Sequence, residues 1–80
     1  MTLQITIIGL GQIGGSIGLA LGGQRSALKR VGHDKKTDVE RAALNKGVVD
    51  EVKHNLPSAV RDADIVMLCL PVSQVREAFE

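Results

Sequence analysis

The chain has no tryptophan or tyrosine and a single phenylalanine, Phe79, so it offers no aromatic platform for stacking the bases of a single strand. Its core must be built from small aliphatics, which suits close packing of helices on a sheet. One cysteine, Cys69, cannot close an internal disulfide, and no group of His, Cys and Asp shows metal-ligand spacing. Cys69 sits in an apolar run and reads as a packing residue. Neither sign of charge dominates: 10 Lys and Arg face 9 Asp and Glu, for a net charge of +1. Without a dense basic stretch, a nucleic acid is not an expected partner. There is no long hydrophobic run either. The apolar stretch near the start is short, broken by glycines and without a basic leader, so neither a signal peptide nor a membrane anchor is supported, and the cytoplasm is the expected compartment.

What is there begins at Ile5-Thr6-Ile7-Ile8, a run of β-formers that opens directly into Gly9-Leu10-Gly11-Gln12-Ile13-Gly14. A strand feeding GxGxxG and then an apolar helix (Ile13, Ile17, Ala20, Leu21) has the form of a cradle for nucleotide phosphates. Gly9 lets the chain reverse, Gly11 keeps a Cβ away from a pyrophosphate, and Gly14 lets the helix pack against the strand. The helix N-terminus then faces the diphosphate with free N–H groups and the positive end of its dipole. An acid at the right distance strengthens the motif: Asp34 follows Gly14 by 20 residues, at the tip of a second apolar stretch. A carboxylate there accepts the ribose hydroxyls of an adenosine and repels a 2′-phosphate, so NAD is expected ahead of NADP. Lys35 and Lys36, next in the chain, could hold a 2′-phosphate if Asp34 turned aside. The competing reading of Asp34 is a turn or capping residue before Thr37.

The elements alternate. Strands are expected at Gln4 to Ile8 and Leu28 to His33, with a helix from Gln12 to Leu21 between them, ended by Gly22-Gly23. Thr37-Asp38-Val39-Glu40 has the form of a capping box, with Thr37 as N-cap and Glu40 reaching back, opening a helix that Gly47 stops. Val48, Val49 and Val52 suggest a short third strand or extended connector. Asn55-Leu56-Pro57 starts a brief helix to about Arg61. Ile65 to Leu70 is apolar throughout, which predicts a strand buried on both faces, and Pro71 ends it. Val75, Ala78 and Phe79 begin a further helix that Ser73 would cap. The result is an α/β fold, a Rossmann-type parallel sheet with flanking helices. Gly9 to Gly14, Asp34 and Leu70-Pro71-Val72 all fall at C-terminal strand ends, where such sheets bind ligands. Because 80 residues are few for a domain holding a whole dinucleotide, the chain is expected to be part of a larger protein, the N-terminal part of a dinucleotide-binding domain. The sheet edge that later strands would complete would invite self-association.

Other polar residues read more plainly. His33 is expected at the rim or in packing, and His54 lies in a polar connector with no matched acid nearby. Arg25, Lys29 and Arg30 read as a solvated edge, and Arg61, Asp62 and Asp64 as an exposed helix end.

Ile8-Gly9-Leu10-Gly11-Gln12-Ile13-Gly14-Gly15-Ser16 resembles the "GLGLIGGS" opening of the prephenate and arogenate dehydrogenases. Gly32-His33-Asp34 is similar to that family's "GYD" or "GHD", the segment from Ala42 to Glu51 to its "A-x-x-x-G-x-x-D-E", and Ala63 to Val72 to its "ADLVVLAVPV". The resemblance spans nearly the whole chain; Gly15-Ser16 and Gly47 to Glu51 are its more discriminating parts. It implies an oxidative decarboxylation in tyrosine biosynthesis: the cofactor takes hydride from the ring carbon bearing the 4-hydroxyl, and loss of the ring carboxylate makes the product aromatic. It implies that Gly9, Leu10, Gly11, Gln12, Ile13 and Gly14 line the diphosphate, that Asp34 takes the adenosine ribose with Lys35 beside it, and that Leu70, Pro71 and Val72 wall the cofactor. It also implies a small-molecule substrate, and a homodimer in the full-length protein. Gln12 stands where leucine is commoner. The family's catalytic histidine and substrate-binding arginine match no position here, so no catalytic residue is carried over. Alternatives are a 3-hydroxyacid or imino-acid reductase, and a regulatory domain that senses NAD without chemistry.

Overall fold

In the computed structural model, which describes residues 2–24 and 27–70, strands and helices alternate. The strands are β1 (Leu3–Ile8), β2 (Leu28–His33), β3 (Glu51–Val52) and β4 (Ile65–Leu68). The helices are α1 (Gln12–Ala20), α2 (Thr37–Asn45) and α3 (Leu56–Val60), and α1 runs on into a 3-10 turn at Leu21–Gln24 that contains both Gly22 and Gly23. The sheet order is β3-β2-β1-β4 with every pairing parallel, a Rossmann-type arrangement. β1 lies at the centre, paired from Leu3↔Leu28 to Ile8↔His33 on one side and from Ile5↔Ile65 to Ile8↔Leu68 on the other. Strand order therefore reverses at β1, and the crevice beyond the ends of β1 and β4 is the place where such sheets bind ligands.

Alternation along β1 divides the core in two. Ile5 and Ile7 join Leu10, Ala43, Val48 and Val49 in the main cluster, with Ile17 and Leu21 of the α1 segment and Val39 of α2 packed on it. Thr6 and its register partner Val31 point to the opposite face, where the Thr6 hydroxyl donates to the Ala59 carbonyl of α3 at 2.6 Å. That bond satisfies a fully buried hydroxyl and docks the helix at once.

Helix ends follow local chemistry with one exception. The Asn55 side chain accepts from the Ser58 N–H at 3.0 Å and Pro57 sits in the first turn of α3, as expected. Gly47, at φ +73°, closes α2: its N–H reaches the Leu44 carbonyl while the Val48 N–H reaches that of Ala43, the paired bonds of a Schellman end. The capping box at Thr37 does not form. Lys36 is the N-cap and its side chain supplies no bond to the first turn; its own N–H goes to the Asp34 carboxylate, while Glu40 reaches past the cap to the Asp34 N–H.

Two further expectations are corrected. Arg30 is not on a solvated edge: it is 1% exposed, on the sheet face that α1 and α2 cover, while Lys29 beside it is exposed and pairs with Glu51. Arg25 lies outside the described residues. The run from Ile65 is strand only to Leu68, and Ile65, Val66 and Leu68 are exposed rather than buried. Among the described strands β4 has only β1 beside it, so its apolar side chains find few neighbours. Val48 and Val49 are buried connector residues, and the third strand is the two residues after Asp50. The segment from Ser73, read as a helix, lies outside the described residues. No helix among those described is long and apolar enough to cross a membrane.

Candidate functional site

The turn after β1 is shaped by what would collide with it. Gly9 has φ +95°, a backbone that L side chains avoid, and a Cβ there would lie 2.6 Å from a Leu70 side-chain carbon and 2.7 Å from the Cys69 carbonyl oxygen. A Cβ on Gly14 would collide with the Gly9 carbonyl oxygen, which is how closely α1 begins against the strand end. Gly11 is different. A Cβ there would meet nothing within 4 Å, so the middle glycine faces open space while the outer two are closed by packing. Gly11 is also the N-cap of α1 and supplies no side-chain bond to the first turn. Backbone donors beside an open cradle are the arrangement that suits a diphosphate, and the residues present fit that group.

Asp34 is fastened to this turn. One carboxylate oxygen accepts the Leu10 N–H at 2.8 Å and the other accepts the Lys36 N–H at 3.0 Å. Each oxygen keeps a further lone pair for a hydroxyl. The Gly9 N–H donates to the His33 carbonyl at 2.8 Å, so the ends of β1 and β2 are held together beneath the carboxylate. Gly9, Leu10, Gly11, Gly14, Asp34 and Leu70 thus gather at the C-terminal ends of three strands, with Lys35 exposed at the border. Gln12 and Ile13 are the first residues of α1, directly after this turn. Pro71 and Val72 lie outside the described residues.

Behind Asp34 lies a cluster the sequence did not announce. Glu40 is 4% exposed; one of its oxygens accepts the Asp34 N–H at 3.1 Å, and the other accepts from His54 Nδ1 at 3.0 Å. His54, read as having no acid nearby, therefore has one. His33 Nδ1 donates to the Lys53 carbonyl at 2.9 Å, which fixes its tautomer, and lies 3.9 Å from Glu40. The two rings are 5.9 Å apart. The signal that could have exposed Glu40 is the absence of an N-cap partner for it once Thr37 becomes the first helical residue.

Cys69 is half-buried against the core cluster, and desolvation pushes its thiol above the ordinary cysteine range, which disfavours the nucleophilic thiolate. Among the described residues no three His, Cys, Asp or Glu side chains could hold a metal. A cleft of about 390 Å³ opens between α1 and α2 beside Gly11, with Leu10, Gly15, Ser16 and Lys46 among its walls.

Residues 17–80 match the family described as "Prephenate dehydrogenase, nucleotide-binding domain". The chain belongs to that family. The prephenate dehydrogenase of Lactococcus lactis is 36% identical over 74 residues, which are 92% of this chain and 20% of that protein. Among solved structures, the arogenate dehydrogenase of Synechocystis superposes with a TM-score of 0.81 at 28% identity, over 94% of this chain and 26% of that one. A prephenate dehydrogenase from A. aeolicus, in complex with hydroxyphenyl propionate and NAD+, superposes at 0.84 and 28% identity over 98% of this chain and 28% of its own. The chain thus spans between a fifth and a little over a quarter of the length of these prephenate and arogenate dehydrogenases. The resemblance to the prephenate and arogenate dehydrogenases is borne out at the level of the family.

Proposed function

We propose that this chain is the N-terminal, cofactor-binding part of an NAD-dependent dehydrogenase that oxidatively decarboxylates prephenate or arogenate. In this reading the turn from Gly9 to Gly14 takes the diphosphate, Gln12 and Ile13 contributing backbone, and the Asp34 carboxylate takes the adenosine ribose. Lys35 borders the ribose, and Leu70, Pro71 and Val72 wall the cofactor's side. The bound cofactor supplies the hydride acceptor. This chain's own part is to hold and orient that cofactor at the ends of β1, β2 and β4. None of its residues is assigned a proton-transfer step, and the substrate-binding and dimerising machinery belongs to the remainder of a cytoplasmic homodimer. The observation that carries the reading is the open cradle at Gly11 next to a carboxylate bonded to the Leu10 N–H. Membership of the nucleotide-binding family and likeness to a dehydrogenase solved with NAD+ support it.

Calorimetric titration of the chain with NAD and NADP tests this. NAD should bind more tightly, and Asp34→Ala should weaken it by about tenfold or more, the worth of a hydrogen bond to a charged group. Because Asp34 also braces the turn, Gly11→Ala supplies the second arm. Its added methyl meets nothing in the protein, so the melting temperature should hold while NAD affinity falls. Folded protein that binds neither nucleotide would sink the reading.

A further inference from the structure

Glu40 holds its place through two hydrogen bonds, and for one of them no charge is required. A neutral acceptor would hold the Asp34 N–H in the same position, whereas burying a carboxylate is costly. What the charge adds is a field at the Asp34 end of β2. The groups facing it are few. His54, from the connector after β3, donates to it; His33, at the end of β2, lies 3.9 Å off with its Nδ1 proton committed to the Lys53 carbonyl. The Lys53 ammonium is turned to Glu51 at 3.6 Å. Lys35 and Lys36 are exposed, where solvent and salt weaken their pull.

We propose that Glu40 is a positioning and selectivity residue for the nucleotide's ribose: it holds the Asp34 main chain and places a second, buried negative charge behind the Asp34 carboxylate. The inference rests on the reading of Asp34 as the ribose acceptor. A neutral ribose hydroxyl is indifferent to the extra charge. A 2′-phosphate is repelled by it, and the low-dielectric surroundings that make Glu40 costly make that repulsion stronger than a surface carboxylate could manage. The refusal of the phosphorylated nucleotide is then shared between Asp34 and Glu40, against the attraction of Lys35 and Lys36.

The test compares NAD and NADP affinities of the wild-type chain, Glu40→Gln and His54→Lys at one pH and low salt, with circular dichroism as a check of folding. In Glu40→Gln the carbonyl can keep the Asp34 N–H while the new N–H group donates to His54 in its other tautomer, so the position is kept and the charge removed. His54→Lys, at an exposed residue, leaves Glu40 intact and sets a permanent cation beside it. In both variants the ratio of NAD to NADP affinity should fall by about fivefold or more, chiefly through tighter NADP binding. A purely structural Glu40 would weaken both nucleotides together and leave the ratio unchanged, and that result in either variant overturns the proposal. A wild-type chain that binds NAD with no such change refutes the role of Glu40 alone; one that binds no NAD refutes the ribose reading beneath it.

Discussion

Arg30 shows how far one residue can depart from what its type suggests. Its Nε and Nη2 bond the two Asp50 oxygens at 3.2 and 2.9 Å, and Nη1 lies within 2.9 Å of the carbonyls of Gly18, Gly47 and Val48. One guanidinium therefore joins β2 to the end of α1, the end of α2 and the connector before β3. Gly18 is part of the same junction, since a Cβ there would collide with the Val48 carbonyl oxygen. Arg30→Ala would strand three carbonyls and leave a cavity, and it should cost about 3–5 kcal/mol. A fall in the urea midpoint with an unchanged slope would show this; a loss below about 1 kcal/mol would mean the carbonyls find water instead. In sequence, Arg30 stands in a short basic stretch beside Lys29, and nothing local distinguishes the two. Their opposite fates follow from strand alternation, which sends Arg30 towards α1 and α2 and Lys29 away from them.

At the scale of elements, β3 is only two residues long, and its attachment to β2 is helped by an ion pair across the pairing. Glu51 accepts Lys29 Nζ at 2.9 Å and lies 3.6 Å from Lys53 Nζ. The Lys29 hydrogen bond holds the Glu51 carboxyl below the ordinary glutamate range, against a smaller opposing effect of desolvation and with added pull from the Lys29 and Lys53 charges. Because the folded-state value is the lower one, this stabilisation is complete above the unfolded-state value and is lost as pH falls through the folded one. Both side chains are more than a third exposed, so the contribution is about 0.5 kcal/mol or less and screened by salt. Unfolding of Lys29→Met at low ionic strength should accordingly differ from wild type near neutrality and converge with it in acid. A difference that persists below the glutamate range would refute the assignment. The element boundaries were largely legible because caps, turns and β-branched runs act within a few residues: Asn55, Gly47 and Ile5 to Ile8 all act where their chemistry suggests. Glu40 did not, since Asp34 and His54 offered it donors that a local capping rule cannot see.

At the scale of the whole molecule the sheet is unevenly covered. Ile65 is 49% exposed and Val66 and Leu68 are 42% exposed, on an edge strand with an unpaired ladder on its outer side among the described residues. Apolar side chains beside open N–H and C=O groups favour pairing between copies. Sedimentation should show wild-type mass rising with concentration, and Val66→Lys should suppress the rise without lowering the melting temperature. A wild type that stays monomeric at high concentration would show that the edge is guarded.

The sequence by itself determined the Rossmann-type class, the glycine turn with its acid at Asp34, and most helix ends. These depend on backbone stereochemistry, on periodicity and on partners a few residues away, all properties a short segment carries with it. Tertiary structure alone decided that Arg30 is buried, that Glu40 joins Asp34 to His54, and that β4 shows its apolar side chains. Arg30 meets Asp50 across 20 residues and Glu40 meets His54 across 14, through strand order and helix placement. A side chain's capacity to bond is written in its own chemistry, but what stands opposite it is set by how the strands pair.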